Sequence, residues 1–370
     1  MLSSMSSPVV ASVPLETLKR CKIGTNASEL EQFLAAFEIL VGDLLSELKN
    51  FGDLAPDSIK WIETNLRYNI LGGKMNRGLS VIHTYRLLFK ERELTDHEIF
   101  KAYALGWCVE LLQACFLVAD DVMDDSVTRR GQPCWYRRPE VGLTAINDSF
   151  MLEMFIYKIL NLYFRAEPFY IDLVELFLQI TLKAEIGQLH DLITAPVDSP
   201  NFDVYTMERY KLIVKYKTSF YSFFLPVAEA LIMAGKGTPK TLKTSEDILL
   251  VMGEFFQIQD DFLDCFGAPE TVGKVGTDIE DSKCSWLVVQ ALLLANENQR
   301  KILYGNYGKK DKNSVDAVKA LYKDLKLDEL FYEYEERTYG ELIRLIENTT
   351  ADIPKEIFMD FANKIFKRKK

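Results

Sequence analysis

Histidine and cysteine are scarce in this chain. Its three histidines, at positions 83, 97 and 190, fall in no HxxxH spacing, so no helix carries two imidazole ligands one turn apart. Its six cysteines (Cys21, Cys108, Cys115, Cys134, Cys265 and Cys284) lie far apart without a CxxC pair. Neither a structural zinc site nor a disulfide framework is suggested, and the cysteines read as reduced thiols in a reducing compartment. Positive charge is in the minority: 44 Lys and Arg against 54 Asp and Glu leave a net charge of −10. No domain-wide positive field attracts nucleic acid or an anionic membrane surface. No uninterrupted apolar run reaches the roughly 18 residues that span a bilayer, so no membrane span is expected. Alternating segments bounded by Asn-Gly or Asp-Gly turns are also missing, which makes strands a minor element.

Among 370 residues, 48% are hydrophobic and 12% aromatic, enough to bury a large core. Proline is absent between Pro56 and Pro133 and between Pro269 and Pro354. Those stretches are rich in Leu, Glu, Lys and Ala, with apolar residues three and four apart, as in Leu327, Phe331 and Tyr334 followed by Leu342, Leu345 and Ile346. The spacing predicts long helices and an all-α fold. Loop signals fall at 71–78, 128–142, 194–202, 235–239 and 266–278, and no repeat or low-complexity linker divides the chain. A single domain over 29–370 is expected, after a disordered tail at 1–28. That tail is Ser-rich, with no acid before Glu16 and then Lys19, Arg20 and Lys22. A cytoplasmic location is expected, with organelle targeting by the tail as the alternative.

Two acidic clusters follow strongly apolar stretches: DDVMD at 120–124 and DDFLD at 260–264. On a helix, Asp120 and Asp124 stack on one face and Asp121 lies about 100° around. Like-charged neighbours cost a few tenths of a kcal/mol when exposed, and several kcal/mol per ion when buried without compensation. One DDxxD alone reads as an exposed acidic helix end. Two copies after apolar helices point to a hard divalent cation, and Mg²⁺ favours one or two carboxylates completed by water and phosphate oxygens. Asp260, Asp261 and Asp264 repeat the geometry. Cations recur nearby in sequence: Lys74 and Arg77 in GGKMNRG, Arg129 and Arg130 after the first cluster, Lys217 in KYKTSFY, and Lys274 and Lys283 after the second. Arg binds phosphate oxygens bidentately and Lys as a point charge, while Gly72, Gly73 and Gly78 permit close backbone approach. Together these imply one anion site bridged by metal and one held by protein cations.

The segments GGKMNRG, LLQACFLVADDVMDDSVTRRGQPCWYR, EIGQLHDLITAP, YKTSFYSFFLP, GEFFQIQDDFLDCFG, VGKVGTDIEDSKCSWLVVQAL and YGKKD resemble, in order, those of the trans-isoprenyl diphosphate synthase family in its eukaryotic farnesyl-forming branch. The likeness covers roughly residues 30–370. It implies about ten or more helices around a deep central cavity, usually in a homodimer. It implies condensation of isopentenyl diphosphate with dimethylallyl and geranyl diphosphate to give farnesyl diphosphate. By the same resemblance, Asp120, Asp121, Asp124, Asp260, Asp261 and Asp264, with Asp191 of GQLHD, serve three Mg²⁺ ions, for which Mn²⁺ can substitute. Asp120, Asp124 and Asp260 are the expected direct ligands. Arg129, Lys217 and Lys274 would hold the allylic diphosphate, and Gly73, Lys74, Arg77, Gln113 and Arg130 isopentenyl diphosphate. Lys217, Thr218 and Gln257 would stand beside the developing allylic cation. The basic end, Lys367–Lys370, would close over the second substrate. A Thr bonding back to the i−4 carbonyl would bend its helix at 218, and Pro226 would interrupt that helix further on.

Three positions depart from the family pattern. Cys115 replaces an aromatic residue and, with Phe116, lies one turn before Asp120, where a growing prenyl chain would end. The small thiol leaves a geranylgeranyl or geranyl diphosphate synthase as the alternative to a farnesyl one. Asp125 adds a carboxylate expected to face water. His190 stands where an apolar residue is usual, with a local packing role expected. More distant alternatives are a class I terpene cyclase, disfavoured by DDFLD together with GGKMNRG, and an inactive partner subunit.

Overall fold

The computed structural model describes residues 27–196, 200–267 and 276–366. The leader with Cys21, the site candidate Lys274 and the basic end Lys367–Lys370 lie outside the described residues. Among the described residues the protein is all-α, with strand confined to two two-residue segments.

Helix starts follow local chemistry. Helix α1 (Glu29–Lys49) opens with a reciprocal capping box, in which Ser28 Oγ accepts from Glu31 N (3.3 Å) and Ser28 N donates to Glu31 (2.7 Å). Helices α2 (Pro56–Ile70) and α3 (Asn76–Leu88) follow, and α4 (Asp96–Met123) begins with a second box at Thr95 and Glu98. Each box satisfies two of the four amide donors that a helix start leaves free. By length and composition α4 could cross a bilayer, but 78% of its most apolar window is buried inside the protein. Its apolar face is therefore a core helix's.

Two compact units account for the described residues. The first takes the chain through Val127, Pro133–Phe177 and Glu229–Gly237. At its centre, Trp107 of α4 stacks on Phe33 (centroids 4.2 Å apart) and donates its indole N–H to the Phe33 carbonyl (2.8 Å). Helices α3 and α4 touch at Gly78 and Gly106: a Cβ on Gly78 would stand 2.8 Å from Gly106 O. Gly78, expected to permit close backbone approach, allows these two helices to meet. Helix α5 (Thr144–Phe164) contributes Asp148, fully buried, whose carboxylate accepts from the indoles of Trp61 (2.9 Å) and Trp135 (2.8 Å). Between α4 and α5 the chain forms a hairpin, β1 (Thr128–Arg129) and β2 (Gln132–Pro133), then a 3₁₀ turn at Trp135–Arg137.

Helix α6 (Tyr170–Thr194) runs from the first unit into the second, which takes Thr128–Gln132, Leu178–Ala228 and the chain from Thr238 onward. Helix α7 (Met207–Val214) passes into a ten-residue π-helix, Lys215–Phe224, which continues as α8 (Leu225–Met233). Helix α9 (Pro239–Phe266) lies along the π-helix, and α10 (Trp286–Leu294), α11 (Glu297–Asn306), α12 (Lys312–Asp324), α13 (Leu327–Glu347) and α14 (Lys355–Ile365) complete the unit. Its aromatic core stacks Phe262 on Phe331 (3.9 Å) with Trp286 edge-on to Phe331 (6.3 Å). Pro226 does not interrupt the helix: it falls just past the π-helix, whose wider winding shifts the backbone pairing that a proline would break.

Candidate active site

In the first unit the last turn of α4 carries Asp120, Asp121 and, as its C-cap, Asp124. Asp121 is buried; Asp120 and Asp124 are half-buried. The helix closes with Asp124 N on Asp120 O (2.8 Å) and Ser126 N on Asp121 O (3.0 Å). One turn earlier, Cys115 is buried and Phe116 half-buried. Arg129 lies on β1, and Arg130 with Gly131 makes the two-residue turn, both at positive φ (54° and 75°). That is the backbone a tight hairpin requires. Asp125 does not simply face water: Arg137 Nη2 (2.6 Å) and the Tyr136 hydroxyl (3.0 Å) reach its carboxylate.

Gly73 and exposed Lys74 sit in the loop after α2, and half-buried Arg77 in the first turn of α3. That helix lacks a side-chain cap of its own, since its N-cap Met75 sits in the left-handed region (φ 54°). Glu110 of α4, only 2% exposed, supplies the missing acceptor by taking the Gly78 N–H at 2.8 Å. A carboxylate at a helix start is also favoured by the helix dipole. Gln113 joins the same network: with its amide oxygen toward Arg77 Nη1 (3.2 Å), its nitrogen donates to Glu110 Oε2 (3.3 Å). Arg77 and Gln113 are thus brought together as the family pattern implies, and Glu110 orients both. The sequence signal for Glu110 is a lone acid inside the apolar run ALGWCVELLQACFLVA.

In the second unit, α6, the π-helix and α9 assemble the remaining residues. Asp191 of α6 is buried and bonded by Lys217 Nζ (2.7 Å) and Lys283 Nζ (3.2 Å). Burial pushes its carboxyl up, but the two ammonium charges outweigh that and bring it down to about 2,. Neighbouring His190 faces elsewhere: Arg209 Nη1 lies 3.3 Å from its Nδ1. Arg can only donate, so Nδ1 accepts and the ring proton sits on Nε2.

Thr218 does not bond back to the i−4 carbonyl. Its hydroxyl donates to Gln257 Oε1 (3.4 Å), and Ser219, one residue on, bonds back to Val214 O (3.2 Å), the i−5 partner that π-winding presents. Gln257 in turn donates to Asp261 Oδ1 (3.0 Å), whose Oδ2 accepts the Trp286 N–H (2.7 Å). Each oxygen of the Asp261 carboxylate thus accepts one hydrogen bond from the protein. Asp260 beside it is half-buried, and Asp264 accepts from Asp278 N (3.1 Å). Two glycines let the π-helix fit: a Cβ on Gly187 of α6 would stand 2.5 Å from Lys217 Cα, and one on Gly253 of α9 would stand 2.7 Å from Ser219 Cα. Neither glycine was singled out from sequence, because its meaning depends on which helix passes it.

The acids suit a hard divalent cation. The donors are all carboxylate oxygen, one turn apart on helix ends, and burial pushes Asp261 up to about 7 despite its hydrogen bonds. An acid so poorly solvated gains from a nearby positive charge. Among the described residues no group of three or more His, Cys, Asp or Glu encloses a metal position. Asp120 and Asp124 at the end of α4, and separately Asp260 at the end of α9, could supply oxygens to divalent ions completed by water and phosphate.

One helical chain thus carries two DDxxD helix ends and a π-helix bearing Lys217 and Thr218. Residues 59–325 match the polyprenyl synthetase family model, and the chain belongs to that family, whose members are prenyltransferases. Divalent-metal use comes with that membership. Individual relatives are closer in kind. The chain is 51% identical over 349 residues to the farnesyl pyrophosphate synthase of Rattus norvegicus, covering 94% of this chain and 99% of that enzyme. It is 49% identical over 344 residues to the farnesyl pyrophosphate synthase of Saccharomyces cerevisiae, covering 92% and 97%. Among solved structures, the T. brucei farnesyl diphosphate synthase complexed with minodronate superposes with a TM-score of 0.87 at 35% identity, covering 92% of this chain and all of that one.

Proposed function

We propose that this protein condenses isopentenyl diphosphate with dimethylallyl and then geranyl diphosphate, yielding farnesyl diphosphate. The observation that carries the reading is the Thr218–Gln257–Asp261 chain beside the Lys217–Asp191 pair, in a member of the polyprenyl synthetase family.

Arg129, Lys217 and Lys274 hold the allylic diphosphate, and Gly73, Lys74, Arg77, Gln113 and Arg130 hold isopentenyl diphosphate. Asp120, Asp121, Asp124, Asp260, Asp261, Asp264 and Asp191 serve magnesium, three ions per site, with manganese as a substitute. When bound, the metal supplies positive charge that stabilises the departing diphosphate. Lys217 adds a fixed point charge, because Asp191 restrains its ammonium. Thr218, Gln257 and the Lys217 carbonyl offer oxygen dipoles to the allylic cation formed when the C1–O bond breaks. The wider turns of a π-helix displace carbonyls from the α-helical register, which suits that use. Asp261 orients Gln257. Glu110, through Gln113 and Gly78, orients Arg77 and the start of α3. The isopentenyl double bond then attacks C1 and a proton leaves its C2, with the released diphosphate as the base.

Asp120→Asn and Asp260→Asn test this across a magnesium titration. Each is expected to lower the rate about 10²- to 10³-fold and to raise the metal demand; a variant that keeps the parent rate contradicts the assignment. We also propose a homodimer. Helix α5 exposes Ile146, Phe150 and Met154 in one row, and α6 exposes Leu182, Leu189 and Ile193. Apolar rows of this size are covered in stable assemblies. Light scattering should give twice the chain mass, and Phe150→Glu with Met154→Glu should give the monomer.

A further inference from the structure

We propose that Asp125, Tyr136 and Arg137 form a clamp that positions the arginine hairpin at 128–133 for diphosphate binding. The inference rests on the substrate roles assigned above to Arg129 and Arg130.

The end of α4 shows why Asp125 is unusual. Asp124 is the C-cap, Asp125 follows at φ 52°, and Ser126 N bonds to Asp121 O at 3.0 Å. That is a Schellman ending, in which the left-handed position is normally glycine because a Cβ there is strained. This chain accepts the strain and gains a carboxylate aimed across the base of the hairpin. Arg137 Nη2 reaches its Oδ1 at 2.6 Å and the Asp125 carbonyl at 2.8 Å, while Arg137 Nε reaches the Ser126 carbonyl at 3.2 Å. The Tyr136 hydroxyl lies 2.8 Å from Ser126 O and 3.0 Å from Asp125 Oδ1, so its single proton serves one or is shared between them. Burial, followed by the bond to Asp125, pushes the Tyr136 phenol up to about 12, which keeps it a donor.

These bonds all join the segment before β1 to the 3₁₀ turn after β2. Cys134 N on Val127 O (3.0 Å) closes the same ladder one step nearer the tip. The 3₁₀ turn is itself fixed, since Trp135 is buried and donates to Asp148 (2.8 Å). The hairpin therefore springs from a base held on both sides, only a few residues from Arg129 and from Arg130 at the turn. An exposed ion pair alone would contribute little. Here the guanidinium also takes two backbone carbonyls, so losing it frees the stem as well as a charge.

The test compares Asp125→Gly, Asp125→Asn, Arg137→Gln and the Asp125→Gly/Arg137→Gln pair in the full-length protein. Readouts are kcat, KM for isopentenyl diphosphate, KM for geranyl diphosphate, and Tm. Glycine relieves the left-handed strain, so Asp125→Gly should keep or raise Tm while raising KM for isopentenyl or geranyl diphosphate about three- to tenfold. Asp125→Asn, which retains an acceptor and tolerates the backbone, should recover most of the affinity. The double variant should be no worse than the poorer single, because both break one unit. Unchanged KM values in Asp125→Gly, or KM changes that merely follow a falling Tm, would overturn the clamp. Arg129→Gln and Arg130→Gln serve as controls. If they raise KM and Asp125→Gly does not, only the clamp fails; if they leave KM unchanged, the assigned roles fail and the clamp with them.

Discussion

A Cβ added to Gly187 of α6 would stand 2.5 Å from the Cα of Lys217 on the π-helix. The lysine that pairs with Asp191 is thus placed by backbone meeting backbone, with no side chain between to absorb an error. Gly187→Ala must push the π-helix away and shift Lys217 and Thr218 together. The expected cost is about 1–3 kcal/mol of stability, with kcat falling by at least about tenfold. Thermal melts and steady-state kinetics on the purified variant check this. Parent-like kcat would show that the contact does not set the site.

Glu229 offers a separate test in the first unit. It is fully buried and neither carboxyl oxygen has a hydrogen-bond partner. Burial pushes its pKa well above the usual 4.5. Below about pH 4.5 the folded and unfolded chains both carry the proton. Above it the unfolded chain releases the proton and the folded one keeps it, so stability falls as pH rises. Glu229→Leu removes that penalty and the unsatisfied polar atoms. It should raise stability by about 1–3 kcal/mol near neutrality, with a smaller gain at pH 5 than at pH 8. Melting curves across that range decide it; a gain independent of pH would mean the acid is not held neutral.

Glu110→Gln probes the network at the start of α3. The new amide can still accept the Gly78 N–H, but it turns a donor toward the Gln113 nitrogen. Gln113 then flips and presents its NH₂ to Arg77. KM for isopentenyl diphosphate should rise about tenfold, with KM for geranyl diphosphate unchanged. Equal increases for both substrates would point to general loosening of the helix.

Much of this was legible in the chain itself. Long proline-free stretches with period-3.6 apolar spacing gave an all-α protein, and the DDVMD and DDFLD clusters mark the ends of the long helices α4 and α9. Pairings across sequence were not legible. Nothing local reveals that Glu110 caps α3, that Lys283 shares Asp191 with Lys217, or that Gly187 and Gly253 flank a π-helix. The π-helix itself escaped because its composition, KYKTSFYSFF, suits an α-helix equally well. Thr218 illustrates the same limit: the i−4 bond that sequence reasoning favoured loses to a better placed acceptor 39 residues away, Gln257.

Product analysis separates farnesyl synthesis from every alternative reaction of this site. The full-length protein would be incubated with isopentenyl diphosphate and dimethylallyl or geranyl diphosphate, with magnesium or with excess chelator, and the dephosphorylated alcohols chromatographed. Farnesol is the expected end product from either starter, formed with magnesium and abolished by chelator. Abundant geranylgeraniol would contradict the farnesyl assignment and implicate Cys115, while no condensation from either starter would contradict the prenyltransferase reading itself.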